Sequence, residues 1–487
     1  MSHKQIKTIS NPKLKLEVLT TEEIGKIHAA TLHIIEKIGV RFPSRRALEI
    51  WEANGADVDH EKKIVRVRPD TIEDALAKAP AAFSLAARDP QQDLQLDGNH
   101  VNLGTDGCGV EVIDINTKEK RTSILQDVRD IARLADATEE VAFHWVPVSA
   151  QDTPVESRGL HEIKAVWENS TKHVHTESIY NVEEARASIE MASLIAGGRD
   201  GLRKRPVLSL MQCTAPPLGH DGGSLDAALL AAEAGIPTGF MTMAACLTTG
   251  PATMAGNLAV GNAEVIAGTA LLQLAHPGAP VFYAAAQTAS DLRTGAYTGG
   301  GPEDFLFGAA TNLLADFYNL PLSMGAFATG AKEPNWQAGI EGSLSTLMAS
   351  IVMSDMLLGC GFLHGSRIWS YAQMMLDCEI FSIIHKMMGG IIVDEETLAL
   401  DAIAAVGPGG HFLAQKHTRN HMRELFIPKF MDRRPYSEWE IKQDDARDWA
   451  LARARQTLKE HQPDPLDVKL QEEMERIIRS VEKQAVV

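Results

Sequence analysis

The chain has little cysteine: five residues among 487, scattered as Cys108, Cys213, Cys246, Cys360 and Cys378, with no CxxC pair. That pattern excludes a disulfide framework and a cysteine-rich zinc site, and it fits a reducing compartment. Basic residues are also in deficit, 47 Lys and Arg against 64 Asp and Glu, for a formal net charge of -17. Nucleic acid and anionic membrane both need a basic surface, so neither is expected as a partner. No continuous apolar run reaches about 18 residues, so no membrane span is expected. The opening MSHKQIKTISNPKLKLEVLT has no apolar h-region and reads as no signal peptide, which gives a cytoplasmic expectation. Two signatures are incomplete. GTDGCGV lacks the full GxGxxG spacing, and HTRNH, with His417 and His421 one helical turn apart, lacks the glutamate of HExxH.

What the chain does have is alternation. Strand-like runs recur at HVNLGTD (100–106), VAFHWVPV (141–148), KHVHTES (172–178), PVLSLMQC (206–213), PTGFMTM (237–243), PVFYAAAQ (280–287), PLSMGAFATG (321–330) and GFLHGSR (361–367). A credible helix follows each. NVEEARASIEMASLIAGG opens with Asn181 and Glu184 in a capping pattern and stops at glycines. GGGPEDFLFGAATNLLADF places Pro302 at the first helical position with acids in the first turn. Eight such units predict an α/β chain with a (β/α)8 barrel over residues 81–430 rather than an open doubly wound sheet. A mainly helical extension, 1–80, precedes it. A charge-rich helical tail, 431–487, follows and is a candidate surface for self-association.

Barrels of this kind carry chemistry at the C-terminal ends of their strands. Those ends hold Asp106, Trp145, His175 with Glu177, Gln212 with Cys213, Thr242, Gln287, the corner GAFATGAKEPNWQAGIEG (325–342) and His364. Asp106 in GTDG is either a turn residue or a functional acid. His173 and His175 share one strand face, as two metal ligands or as packing groups. Gln212 and Gln287 are either substrate contacts or amides satisfied in the mouth. Cys213 and Cys360 read as small buried residues. His364, expected at the end of the eighth strand with its ring in the mouth, is the candidate catalytic group. Trp145, Phe327, Trp336 and Tyr371 together would wall a cation pocket. At the corner, Lys332 and Glu333 are expected to pair with each other. The helix GPATMAGNLAVGNAEVIAGTALLQLAHPG keeps its surface small with Ala255, Gly256, Ala259, Gly261 and Gly268, so that a neighbouring backbone or a partner's cofactor approaches closely.

The segments GPATMAGNLAVGNAEVIAG, LRTGAYTGGGPE, EPNWQAGIEG, GFLHGSRIWS, LDCEI and GPGGHFLAQKHTRNHMRELFIPKFMDRRPYSEW resemble the trimethylamine methyltransferase family, in its order, from about residue 21 to 440. The resemblance implies a barrel that moves a methyl group from a methylated amine to the Co(I) corrinoid of a small partner protein. Archaeal members carry pyrrolysine in the barrel, and the seventh βα loop is the candidate position for it. This chain has standard residues throughout and so looks like the branch acting on quaternary amines: glycine betaine, proline betaine or carnitine. A quaternary ammonium already carries its leaving-group charge and needs no activation beyond desolvation and orientation. The resemblance implies no tightly bound cofactor and no metal, with the corrinoid supplied by a corrinoid-binding partner. A substrate carboxylate would take His364, Arg293 or a glutamine as donor. Two rivals stand beside this reading: a metal-dependent barrel enzyme using His173, His175 and a carboxylate, and a non-catalytic betaine-binding or regulatory protein.

Overall fold

The computed structural model describes residues 18–297 and 299–485. Apolar runs buried on both faces form parallel strands, because helices cover the outer face and neighbouring side chains fill the inner one. Here they are β1 (Asn102–Thr105), β2 (Phe143–Trp145), β3 (His173–Thr176), β4 (Leu208–Cys213), β5 (Thr238–Thr242), β6 (Val281–Ala285), β7 (Leu322–Gly325) and β8 (Met356–Cys360). They close as one barrel in chain order, β8 pairing back onto β1 and every pair parallel. The barrel expectation is therefore met, with one correction. The eighth strand is Met356–Cys360, not residues 361–367. Those residues instead make a tight antiparallel hairpin, Phe362–Leu363 against Ile368–Ser370, that extends from the strand's end.

Inward positions fill the barrel in layers. Phe143, Trp145, Met211, Met241, Phe282, Ala284, Met356 and Leu358 form one buried cluster inside it. His173 and His175 belong to this interior. His173 contacts the Ala86 carbonyl through Nδ1 at 2.7 Å and Ser209 Oγ through Nε2 at 2.8 Å, and His175 Nδ1 shares the same Ser209 hydroxyl at 2.7 Å. Burial pushes them down to about 4 and about 3, which keeps both rings neutral.

The small-residue helix, Met254–Ala275, lies against β5 and β6 and under the N-terminal helix Thr21–His33, which Thr20 and Glu23 cap reciprocally. A Cβ on Gly268 would fall 2.6 Å from the Phe240 ring, and one on Gly261 2.6 Å from Gln287 Nε2. What approaches this helix closely is thus the barrel itself. The helix is long and apolar enough to cross a membrane by composition, but 83% of its most apolar window is buried within the fold. The tail helices Ala446–Glu460 and Val468–Ala485 pack on Tyr371–Met388 and Val182–Ala196 respectively. His461 ties the tail to Asp136 at 2.7 Å.

Candidate active site

Alternation along the first four strands carries side chains to the barrel mouth at Asp106, Trp145, Glu177 and Cys213, two residues beyond Gly104, Phe143, His175 and Met211. Asp106 and Glu177 are both buried. The Ser366 hydroxyl and the Gly107 N–H (2.9 Å) donate to Asp106. The Cys108 thiol donates to Glu177 Oε1, and Cys213 Sγ lies 3.7 Å from Oε2.

Burial pushes Asp106 up to about 7, and the negative charge of Glu177 acts in the same direction against the Ser366 and Gly107 hydrogen bonds. Burial raises Glu177 too, opposed by the two thiols. Among the described residues no Lys, Arg or His pairs with either carboxyl. Desolvation and the Glu177 charge raise both thiols well above the ordinary range, so neither is a nucleophile.

Two tyrosines bracket this acid pair. Tyr297 donates its hydroxyl to the Ala286 carbonyl at 3.2 Å and is pushed up by desolvation and by the charges of Asp304 and Asp106. Tyr180 is pushed up by desolvation and by Glu177. Both rings are exposed, as are Met243 and Leu247 after β5. Trp145 forms the floor. Gly107 passes so close that a Cβ there would lie 2.3 Å from the indole Nε1, and that N–H has no hydrogen-bond partner among the described residues. The arrangement is a desolvated acidic floor under an aromatic and apolar rim, which suits a soft cation. A cavity of about 40 Å3 continues from the mouth between β6 and β7, lined by Gln287, Tyr297, Asp304 and Met324. A larger one, about 570 Å3, lies among Phe83, Pro206, Pro237 and Pro280 at the N-terminal end of the barrel, away from where such barrels carry chemistry.

The structure thus brings together Asp106, Trp145 and Glu177 of the expected residues. His175 lies one layer below them. Gln212 donates to the Ile179 carbonyl at 2.8 Å, and Gln287 donates to Asn257 O at 2.8 Å and Oδ1 at 2.6 Å, so both amides tie loops to the barrel. Phe327 is buried against the helix Trp336–Ile351, near Gly342. Tyr371 is buried beside Trp369, centroids 6.2 Å apart. Neither walls the mouth, because each opens or precedes a helix whose inner face needs an apolar side chain. Arg293 is exposed and paired with Asp291 at 2.5 Å. Trp336 is 79% exposed at the start of its helix.

His364 is exposed in the hairpin turn with φ +54°, and its backbone N–H donates to the Ala331 carbonyl at 2.8 Å. Besides desolvation, the groups acting on its ring are Lys332, Arg367, Glu111 and Lys120; Asp106 and Glu177 are not among them. The imidazole therefore belongs to the outer rim, not the pocket. Glu333 pairs with Arg447 at 3.9 Å, while Lys332 turns back to the Gly330 carbonyl, so the expected Lys332–Glu333 pair does not form. Cys108, Tyr180, Tyr297 and Ser366 are the candidate site residues that sequence reasoning missed, and Cys213, expected as a small buried residue, is half-buried at the mouth beside Glu177. Tyr297, an aromatic set among the glycines of LRTGAYTGGGPE, was the available signal.

A parallel eight-stranded barrel with its polar pocket at the C-terminal mouth defines a TIM-barrel enzyme. Comparison narrows this. The chain belongs to the trimethylamine methyltransferase (MTTB) family, whose model matches residues 1–485, and it is a methyltransferase of methylated amines. It is 33% identical over 462 residues to the trimethylamine methyltransferase MttB of Desulfitobacterium hafniense (strain DSM 10664 / DCB-2), covering 95% of this chain and 93% of that one. It is 34% identical over 468 residues to the glycine betaine methyltransferase of Desulfitobacterium hafniense (strain Y51), covering 95% and 97%. Among solved structures, the Methanosarcina barkeri monomethylamine methyltransferase (MtmB) shares the fold at a TM-score of 0.50 and 11% identity, over 90% of this chain and 93% of that one.

Proposed function

We propose that the chain demethylates a quaternary amine of the glycine betaine kind and delivers the methyl group to the Co(I) corrinoid of a partner protein. The observation that carries this is the acid pair Asp106 and Glu177, buried without a basic partner among the described residues and close to Tyr180 and Tyr297. A buried carboxylate lacking a counter-cation gains one when a cationic substrate enters, and a quaternary ammonium needs no hydrogen bond in return. The open rim of Tyr180, Tyr297, Met243 and Leu247 supports approach of a flat acceptor from outside.

The corrinoid supplies a strongly nucleophilic cobalt; this chain's residues bind, desolvate and orient the methyl group. Trp145 and the tyrosines hold the cation's methyl groups, and the carboxyls fix its charge. The departing tertiary amine leaves neutral, so the pocket need move no proton. The roles assigned to the carboxyls replace the catalytic role expected for His364. Standard residues along Ala326–Ile340 support a quaternary rather than a tertiary amine. The scattered cysteines, with no CxxC pair, support a reducing, cytoplasmic setting.

Incubating the protein with cob(I)alamin and, separately, glycine betaine, proline betaine, carnitine, choline and trimethylamine tests the reading. Methylcobalamin forming with a quaternary member is expected. None with any amine favours a binding protein, and turnover on trimethylamine alone overturns the substrate class.

A further inference from the structure

We propose, resting on the quaternary-amine reading above, that the side cavity between β6 and β7 receives the substrate arm that is not a methyl group, and that it selects a short arm ending in a hydroxyl over one ending in a carboxylate. Choline is the prototype of such a substrate. The observation is a pair of buried polar atoms that the fold leaves unpaired. Gln287 is 4% exposed and Thr311 fully buried, and both side chains line the cavity of about 40 Å3. Neither Gln287 Oε1 nor Thr311 Oγ1 has a hydrogen-bond partner among the described residues. Buried polar atoms of this kind are costly unless something pairs with them, and the neighbouring walls, Phe307, Met324 and Ala328, have no polar side-chain atom to offer.

The orientation of the Gln287 amide is fixed. Its Nε2 donates to Asn257 O at 2.8 Å and Oδ1 at 2.6 Å, so turning the amide over would set an oxygen against two oxygens. Gly261 clamps the same group, since a Cβ there would lie 2.6 Å from Nε2 and 2.9 Å from Cδ. Gln287 therefore offers the cavity an acceptor. Tyr297 and Asp304 do the same. The Tyr297 hydroxyl gives its proton to the Ala286 carbonyl at 3.2 Å, and Asp304 accepts from the Thr288 hydroxyl and the Gly301 N–H (3.1 Å). The Thr311 hydroxyl remains as a donor. An alcohol fits this set, because its proton pairs with Gln287 Oε1 and its oxygen with the Thr311 hydroxyl. A carboxylate has no proton for Gln287, and it would lie beside Asp304, on which no Lys, Arg or His acts among the described residues.

Size and position agree. At about 10–15 Å3 for each water-sized group, the cavity takes about two or three heavy atoms. That is a hydroxyethyl arm, and it is too small for the branched arm of carnitine or the ring of proline betaine. Tyr297 joins the cavity to the cation site: it lines the cavity, and the charges of both Asp304 and Asp106 act on it.

Isothermal titration calorimetry on the full chain with tetramethylammonium, choline, propyltrimethylammonium and glycine betaine tests the proposal. Choline is expected to bind at least about tenfold tighter than propyltrimethylammonium, which keeps the arm's length but lacks the hydroxyl, and tighter than glycine betaine. Thr311→Val keeps the side-chain shape and should cut choline's advantage over tetramethylammonium by about tenfold. Ala328→Val narrows the cavity and should cut the same ratio, which covers the case of a Thr311 variant that does not fold. Choline binding no tighter than propyltrimethylammonium, glycine betaine binding tighter than choline, or an advantage that both variants leave intact overturns the subsite and leaves the cavity to ordered water. Those outcomes leave the quaternary-amine reading standing as long as tetramethylammonium binds. Binding by none of the amines overturns that reading, and the subsite with it.

Discussion

The Ser366 hydroxyl donates to Oδ2 of Asp106 across 260 positions of sequence, joining the hairpin after β8 to the end of β1 where the barrel closes. A donated hydrogen bond favours the carboxylate, whereas burial favours the acid, and the balance holds Asp106 at about 7. For a cationic substrate the ionised form is the binding form. KM for a quaternary amine should therefore rise as pH falls through about 7.

Ser366→Ala removes the opposing hydrogen bond. Asp106 should then titrate higher, shifting the midpoint of the kcat/KM–pH profile upward and lowering activity at neutral pH, with recovery at alkaline pH. A depressed profile with an unmoved midpoint would show that Ser366 only shapes the turn.

Glu177→Gln keeps the shape and the acceptor oxygen but deletes the charge. With no basic side chain among the described residues to be left unpaired, the cost should fall on the substrate: KM up about 10- to 100-fold, as loss of one partly screened ion pair gives, with a smaller effect on kcat. An unchanged KM for every quaternary amine tested would remove Glu177 from the binding site.

His364→Ala should leave kcat within about threefold, because the imidazole is exposed and surrounded by Lys332 and Arg367 rather than the acid pair. A loss of about a hundredfold or more, with the fold intact, would return the catalytic role to it.

The seven strands that stood apart from their helices were legible, because Gly, Pro or polar residues bracket short apolar runs. The eighth was not. MASIVMSDMLLGC runs apolar from the end of the preceding helix straight into β8, and only Ser354 and Asp355 mark the break. Asp355 makes it structurally, accepting from the Asp97, Gly98 and Leu322 N–H groups at 2.7, 2.8 and 3.0 Å. Misplacing that strand carried His364 into the mouth. Within the site, Asp106 and Glu177 were readable from strand parity. Their partners Ser366 and Cys108, and the covering Tyr180 and Tyr297, arrive on loops whose paths follow from tertiary closure rather than local pattern.

Asp377 gives a stability test. It is fully buried, accepts from the Gly361 N–H at 2.9 Å and from Gln373 Nε2 at 2.7 Å, and is pushed up by burial to about 8. Between its ordinary value of 3.8 and about 8 the folded state holds a proton that the unfolded state has released, so stability falls as pH rises through that window. Asp377→Asn, neutral throughout, should flatten that fall and exceed the parent in stability on the alkaline side. Urea unfolding across the window checks it, and parallel curves for parent and variant would contradict it.

Glu264 sits inside the small-residue helix and accepts from Thr214 Oγ1 at 2.6 Å, Thr242 Oγ1 at 2.8 Å and the Leu218 N–H at 2.7 Å. It thus pins the ends of β4 and β5 and the loop after β4 to one helix, directly beside the Cys213 corner of the pocket. Glu264→Ala leaves two buried hydroxyl donors and a part-buried N–H unpaired, each buried one costing about 1–3 kcal/mol, and should lower the melting temperature by many degrees or prevent folding. Glu264→Gln keeps one acceptor and places an amide against donors, so an intermediate loss is expected. Because the carboxylate reaches Thr214, next to Cys213, the Gln variant should also weaken substrate binding more than a comparably destabilised variant remote from the mouth. A Gln variant with full stability would mean that these donors find other acceptors, and the helix would then be held by its glycine contacts alone.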